Sequence, residues 1–252
     1  MRHRIPLCLP AVAAIGLAAA VLAAPAQAPD GAAVLRRVDQ NMGADNKVTT
    51  SEMIIRGRRG SRTVTSKSWI QGRAKSFTEY LDPPRERGTK MLKLDDQLWT
   101  YTPASDRTIL ISGHMLRQSV MGSDLSYEDM MEDQRLVALY DAVVAGEERV
   151  GDRPCWVLDL SSRGAEIAYY KRKIWVDQER DVILREARFA KSGKLLKTTD
   201  VRNVERMKDR WVSTRVVFKD ALKDGEGTEF VVKAIEFNAA IPDHLFTKAS
   251  LR

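Results

Sequence analysis

Along most of the chain, apolar and polar residues alternate with a period of two, the pattern of strands that turn one face to a core. The alternation starts at Val48, runs to Ile111, stops, and resumes between Leu136 and Asn238. Turn sequences such as Gly57-Arg58-Arg59-Gly60, Asp95-Asp96 and Lys191-Ser192-Gly193-Lys194 punctuate it. Strands joined by turns this tight run antiparallel. Gln97–Thr102 and Arg107–Ile111 are two of them, and Leu136–Val150 reads as a single strand. Asp82-Pro83-Pro84 breaks the ladder, because proline has no N–H to donate.

Two stretches carry a helical period instead. Asp30 is placed to cap a helix through Met42, with Val34, Leu35, Val38 and Met42 on one face and Gly43 after the last turn. The second stretch lies in the break from Ser112 to Asp133. There Ser126 can bond the Asp129 backbone N–H while the Asp129 carboxylate reaches back, a capping box. Leu125 and Met130 have the spacing of a hydrophobic staple. Asp124, Glu128 and Asp129 put negative charge at the positive end of this short helix.

About eleven or twelve strands in one sheet cannot lie flat, because strand twist curls so wide a sheet. The predicted fold is therefore mainly β (α+β). It is a strongly curved antiparallel sheet or half-open β-barrel of about eleven strands, with the short helices covering its concave face. Residues 29–252 contain no linker or low-complexity stretch and read as one domain.

Composition adds a destination. Arg2 and Arg4 precede an apolar run from Ile5 to Ala24 that ends in small residues, which makes residues 1–28 a secretory signal peptide. Ala24-Pro25-Ala26 and Ala26-Gln27-Ala28 compete as cleavage triplets. A retained anchor is the alternative, but the run holds two prolines and is largely alanine. Cys8 leaves with the signal, so Cys155 has no partner for an intrachain disulfide and reads as a small buried hydrophobe. The expected compartment is the periplasm. Signal removal takes two arginines from 41 basic residues and none of the 34 acidic ones, lowering the formal charge from +7 to +5. This modest surplus suits anionic lipid head groups and also ordinary solubility.

Candidate chemistry is sparse. His114 and His244, the histidines that survive cleavage, have no metal-ligand partner at recognisable spacing. The chain has no nucleophile elbow, no glycine-rich nucleotide loop and no basic-aromatic pattern for nucleic acid. The carboxylates of Asp124, Glu128, Asp129, Glu132 and Asp133 lack the spacing of a calcium loop, and helix-start electrostatics accounts for most of them. No catalytic residue, cofactor or metal is expected. More suggestive is the gathering of Met115, Met121, Met130 and Met131 with Leu116, Val120 and Leu125 in the break. Methionine repacks around varied shapes, so this stretch reads either as plain core packing of a loop or as a lid over acyl chains. Trp69, Trp99, Tyr101 and Trp175 sit on neighbouring strands, and the period alone does not say which face they share.

Several motifs point to a known family. They are Met121-Gly122-Ser123-Asp124-Leu125-Ser126-Tyr127-Glu128-Asp129, Leu98-Trp99-Thr100-Tyr101-Thr102-Pro103, Gly151-Asp152-Arg153-Pro154-Cys155-Trp156, Trp175-Val176-Asp177, Arg210-Trp211-Val212-Ser213-Thr214-Arg215 and Ile241-Pro242-Asp243-His244-Leu245-Phe246. In order and spacing the chain resembles the outer-membrane lipoprotein-sorting proteins of the LolA-like superfamily, in a subgroup typified by an uncharacterised treponemal-type domain. The resemblance implies a curved sheet around helices and a hydrophobic cavity for acyl chains of lipids or lipoproteins. It also implies an inner-membrane transporter and an outer-membrane acceptor as partners of a monomeric carrier. Carriers of this kind hold their lid with an arginine inside the cavity, which no motif places here. The lipid-binding candidates are Trp69, Leu92, Trp99, Tyr101, Met115, Leu116, Met121, Leu125, Tyr127, Met130 and Met131. The rival reading is a lipid-sensing or scaffold module that partners a membrane transporter or regulator and moves nothing.

Overall fold

The computed structural model describes residues 28–43, 46–57, 60–132, 135–164 and 167–252. The expected signal peptide, apart from Ala28, lies outside the described residues. Helix α1 spans Gly31–Met42, and the Asp30 carboxylate accepts the N–H groups of Ala32 and Ala33 at 3.2 and 3.1 Å. Its apolar stripe of Val34, Leu35 and Val38 is fully buried.

Thirteen strands follow: β1 Asn46–Gly57, β2 Gly60–Gln71, β3 Lys75–Asp82, β4 Lys90–Leu94, β5 Gln97–Thr102, β6 Arg107–Ile111, β7 Tyr140–Val150, β8 Arg153–Ser162, β9 Lys171–Asp177, β10 Ile183–Phe189, β11 Leu195–Met207, β12 Arg210–Asp220 and β13 Thr228–Phe237. That is one or two more than the expected eleven or twelve.

All thirteen join one antiparallel sheet in the order β6-β5-β4-β3-β2-β1-β13-β12-β11-β10-β9-β8-β7. Every neighbouring pair is consecutive in the chain except β1 and β13, which pair from Lys47 opposite Phe237 to Ile55 opposite Thr228. The first and last strands thus close the meander at its middle. Its two free edges, β6 and β7, are consecutive in sequence yet lie at opposite ends of the strand order. The chain between them must cross the curved sheet from edge to edge, so the barrel stays open.

The expected continuous strand from Leu136 does not form. After the short helix α2, Tyr127–Met131, Leu136–Leu139 is a helical turn, α3, and β7 starts only at Tyr140. The Asp39 carboxylate of α1 accepts the N–H groups of Leu136 and Val137, both at 3.0 Å, a cap supplied from about a hundred residues upstream.

Two apolar cores occupy the concave face. One packs Val34, Leu35 and Val38 of α1 and Leu136 of α3 on Tyr140, Leu158, Leu160, Ile174 and Val176. The other packs Val120 and Leu125 of the crossing segment on Met53, Ile55, Val64, Tyr80, Met91, Leu98 and Ile111. The opposite face is not left bare. Phe77, Leu92 and Trp99 are covered there by Phe246 and Leu251, from the 3₁₀ turns Asp243–Phe246 and Lys248–Leu251. Cys155 is fully buried on that same convex side, with Val157 and Trp175.

Candidate functional site

The crossing segment, residues 112–132, is built to be pinned at points along its length. Two 3₁₀ turns, Gly113–Arg117 and Val120–Gly122, lead to helix α2, Tyr127–Met131. The capping box forms as expected. Ser126 Oγ accepts the Asp129 N–H at 3.3 Å, and the Ser126 N–H donates back to the Asp129 carboxylate at 2.7 Å. The expected staple does not, because Met130 is 40 % exposed while Leu125 packs into the sheet.

Polar anchors come from both halves of the sheet. Arg62 on β2 donates to the Met121 carbonyl, whose residue sits in the left-handed region at φ 50°. Lys93 on β4 donates to the Met131 carbonyl at 3.2 Å. The Asp124 carboxylate accepts the Asp220 N–H at 2.9 Å and the Thr228 hydroxyl at 2.8 Å, a tie to the β12–β13 end.

The strongest anchor is a buried charge cluster on the concave side of β9, β10 and β11. Arg188 lies 3.2 Å from the Asp129 carboxylate and 2.8 Å from Glu186. Lys197 and the Tyr169 hydroxyl also donate to Asp129, the latter at 2.5 Å. Arg172, 3 % exposed, pairs with Glu186 at 2.8 Å and with Glu132 just beyond α2. It donates to the Tyr140 hydroxyl at 2.8 Å and packs against the Tyr140 and Tyr169 rings. Buried charges persist only when paired and hydrogen-bonded. Three cations here meet three carboxylates, and two of the carboxylates belong to the crossing segment.

The ionisation of the cluster follows from these contacts. Burial pushes the Glu186 carboxyl up, but the Arg188 and Arg172 charges and their hydrogen bonds outweigh it and bring it down to about 2. Burial also opposes ionisation of Asp129, and the Lys197 charge with hydrogen bonds from Lys197, Ser126 and Tyr169 holds it below the usual range. Burial and the Asp129 charge push the Tyr169 phenol up, which keeps it a donor.

The structure brings together six of the eleven lipid-binding candidates. Met115, Leu116, Met121, Leu125, Tyr127 and Met131 all face the concave sheet. It separates four others: Trp69, Leu92, Trp99 and Tyr101 lie on the opposite face, beneath the C-terminal turns, because they are out of phase with the inward Met91 and Leu98. Met130 points outward. The charge cluster was missed, although it left a trace. Arg172 is in phase with Ile174 and Val176, so a charge falls at a core position of an apolar strand. Elsewhere, β12 and β13 pair only from Arg215 opposite Val231 to Phe218 opposite Thr228. Beyond that point a cleft of about 390 Å³ opens, lined by Arg202, Asn203, Glu205, Thr214, Arg215 and two valines.

Comparison with known proteins agrees with this architecture. A family described only as an uncharacterized protein matches residues 72–252. No curated protein matches the chain. Among solved structures, a DUF1329 family protein from Desulfovibrio piger is 25 % identical with a TM-score of 0.79, covering 88 % of this chain and 98 % of its own. A domain from Vibrio parahaemolyticus described as outer membrane lipoprotein-sorting is 23 % identical with a TM-score of 0.77, covering 88 % and 97 %. A LolA superfamily protein from Nitrosomonas europaea is 22 % identical with a TM-score of 0.73, covering 88 % and 100 %. The chain belongs to the family of uncharacterized proteins whose match spans residues 72–252, and its fold is that of the LolA superfamily.

Proposed function

We propose that the protein is a non-enzymatic periplasmic carrier that shelters acyl chains of a lipid or lipoprotein between the crossing segment and the concave sheet. The observation that carries this reading is the construction of the segment. Its methionine-rich side chains pack on the concave face, while buried ion pairs at α2 and single hydrogen bonds elsewhere along its length fasten it. A cover of this kind can lift as a unit and be replaced by acyl chains, each sheltered methylene contributing about 0.8 kcal/mol. Arg188 and Arg172 take the part of the cavity arginine that no motif placed. Likeness to a domain described as lipoprotein-sorting supports the same reading. An inner-membrane transporter would load the carrier and an outer-membrane acceptor would empty it.

Native mass spectrometry with lipid extraction on mature protein from the periplasm tests the proposal. The expected result is a co-purifying acylated species that is lost in Met131→Asp while circular dichroism stays unchanged. Protein that remains empty after incubation with membranes would sink the carrier and leave the scaffold reading.

A further inference from the structure

We infer that the concave face of β9–β11 is a receptor for an anionic head group, and that the α2 carboxylates occupy it when the segment is docked. The inference rests on the carrier reading and names the chemistry of the cargo. Its basis is the balance of buried charge. Arg172, Arg188, Lys197 and Glu186 belong to the sheet, whereas Asp129 and Glu132 belong to the segment. Docked, the six cancel. Lifting α2 removes both segment carboxylates and leaves three cations facing Glu186 alone. A displacer that takes the segment's place covers the same three cations again, so it is favoured if it brings the negative charge that Asp129 and Glu132 supplied.

The geometry supports one class of group. The Tyr169 hydroxyl, the Arg188 guanidinium and the Lys197 ammonium converge on the Asp129 carboxylate from the sheet side. Three donors converging on one point suit phosphate or carboxylate oxygens. Further donors stand unused, since Arg188 Nε and the Thr199 hydroxyl are buried without hydrogen-bond partners. The cargo is thus an amphiphile whose anionic head replaces Asp129 and Glu132, with its chains on the side where Met121 and Met131 now pack. Free phosphate shares the head-group chemistry but not the chains.

Calorimetric titration of the mature protein with dihexanoyl phosphatidic acid, neutral dihexanoylglycerol and inorganic phosphate tests this. Wild type is expected to prefer the acid over the neutral lipid by roughly tenfold to a hundredfold, the range of one charge-assisted hydrogen bond. Glu132→Gln removes a competing carboxylate and is expected to tighten binding of the acid. Lys197→Gln is expected to erase the preference while neutral-lipid binding persists, and Lys197→Arg to retain it. Inorganic phosphate binding as tightly as the phosphatidic acid would keep the anion site and assign it to free phosphate. Equal binding of charged and neutral lipid, or Glu132→Gln weakening the acid, would overturn the inference and leave the carrier standing. Binding of neither lipid would overturn both.

Discussion

The guanidinium of Arg188 on β10 lies 3.2 Å from the carboxylate of Asp129 on α2, across 59 residues of chain. This contact joins the segment that crosses the concave face to the half of the sheet reached only after the chain has passed the open edge. It is 12 % exposed on the arginine side and 4 % on the aspartate side, so water screens it little.

Removing either partner should loosen the segment rather than the sheet. Asp129→Asn or Arg188→Gln leaves the other charge buried and short of a partner, a loss of about 3–5 kcal/mol. Hydrogen exchange followed by mass spectrometry is expected to show faster exchange in residues 112–132 and unchanged protection in β1 and β2. Uniform loss of protection would mean that the latch holds the whole fold and not a lid.

Acid should act on the same contacts. Glu186 has a folded value of about 2 against an ordinary 4.5, and Asp129 is shifted the same way from 3.8. A depressed value contributes stability that is fully present above the unfolded value and is lost as pH falls through the folded one. Stability measured by urea unfolding is therefore expected to be flat from neutrality to about pH 5 on the cluster's account, then to fall between pH 4.5 and 2. Arg188→Gln should flatten that acid slope, and an unaltered slope would remove the cluster as its source.

Leu125 and Met130 test which side of the capped turn does the packing. Leu125 is 8 % exposed and Met130 40 %. Leu125→Ala should cost about 2–4 kcal/mol by transfer and cavity terms, and Met130→Ala less than about 0.5 kcal/mol. Equal losses in thermal unfolding would restore the staple that their spacing suggests.

Trp99 separates stability from cargo binding. Its ring lies on the convex face beneath the C-terminal turns, with the Lys248 ammonium 4.3 Å from the ring centroid. Trp99→Ala is expected to cost about 3–5 kcal/mol in unfolding, yet to leave the affinity for a fluorescent fatty acid within about twofold at temperatures where the variant is folded. Met131→Asp is expected to do the reverse, weakening the probe while sparing the sheet. Loss of probe binding in Trp99→Ala would place the aromatic strip in the site after all.

Local physics made much of this legible. Period-two alternation and tight turns determined an antiparallel meander, the β5 and β6 boundaries were readable to the residue, and the caps at Asp30 and Ser126 could be written from residue type alone. The sequence also marked the break between Ile111 and Leu136 as the odd piece. Tertiary structure decided three things that no local pattern carries. Leu136–Leu139 coiled because Asp39, distant in the chain, caps it. Trp69, Leu92, Trp99 and Tyr101 went to the convex face because alternation distinguishes two faces without naming the inner one, and only the C-terminal turns and the crossing segment, by landing on opposite sides, assign it. The charge cluster appeared because Asp129, Arg172, Arg188 and Lys197, whose mutual pairing no local pattern signals, meet only when β9–β11 curl under α2 and exclude water.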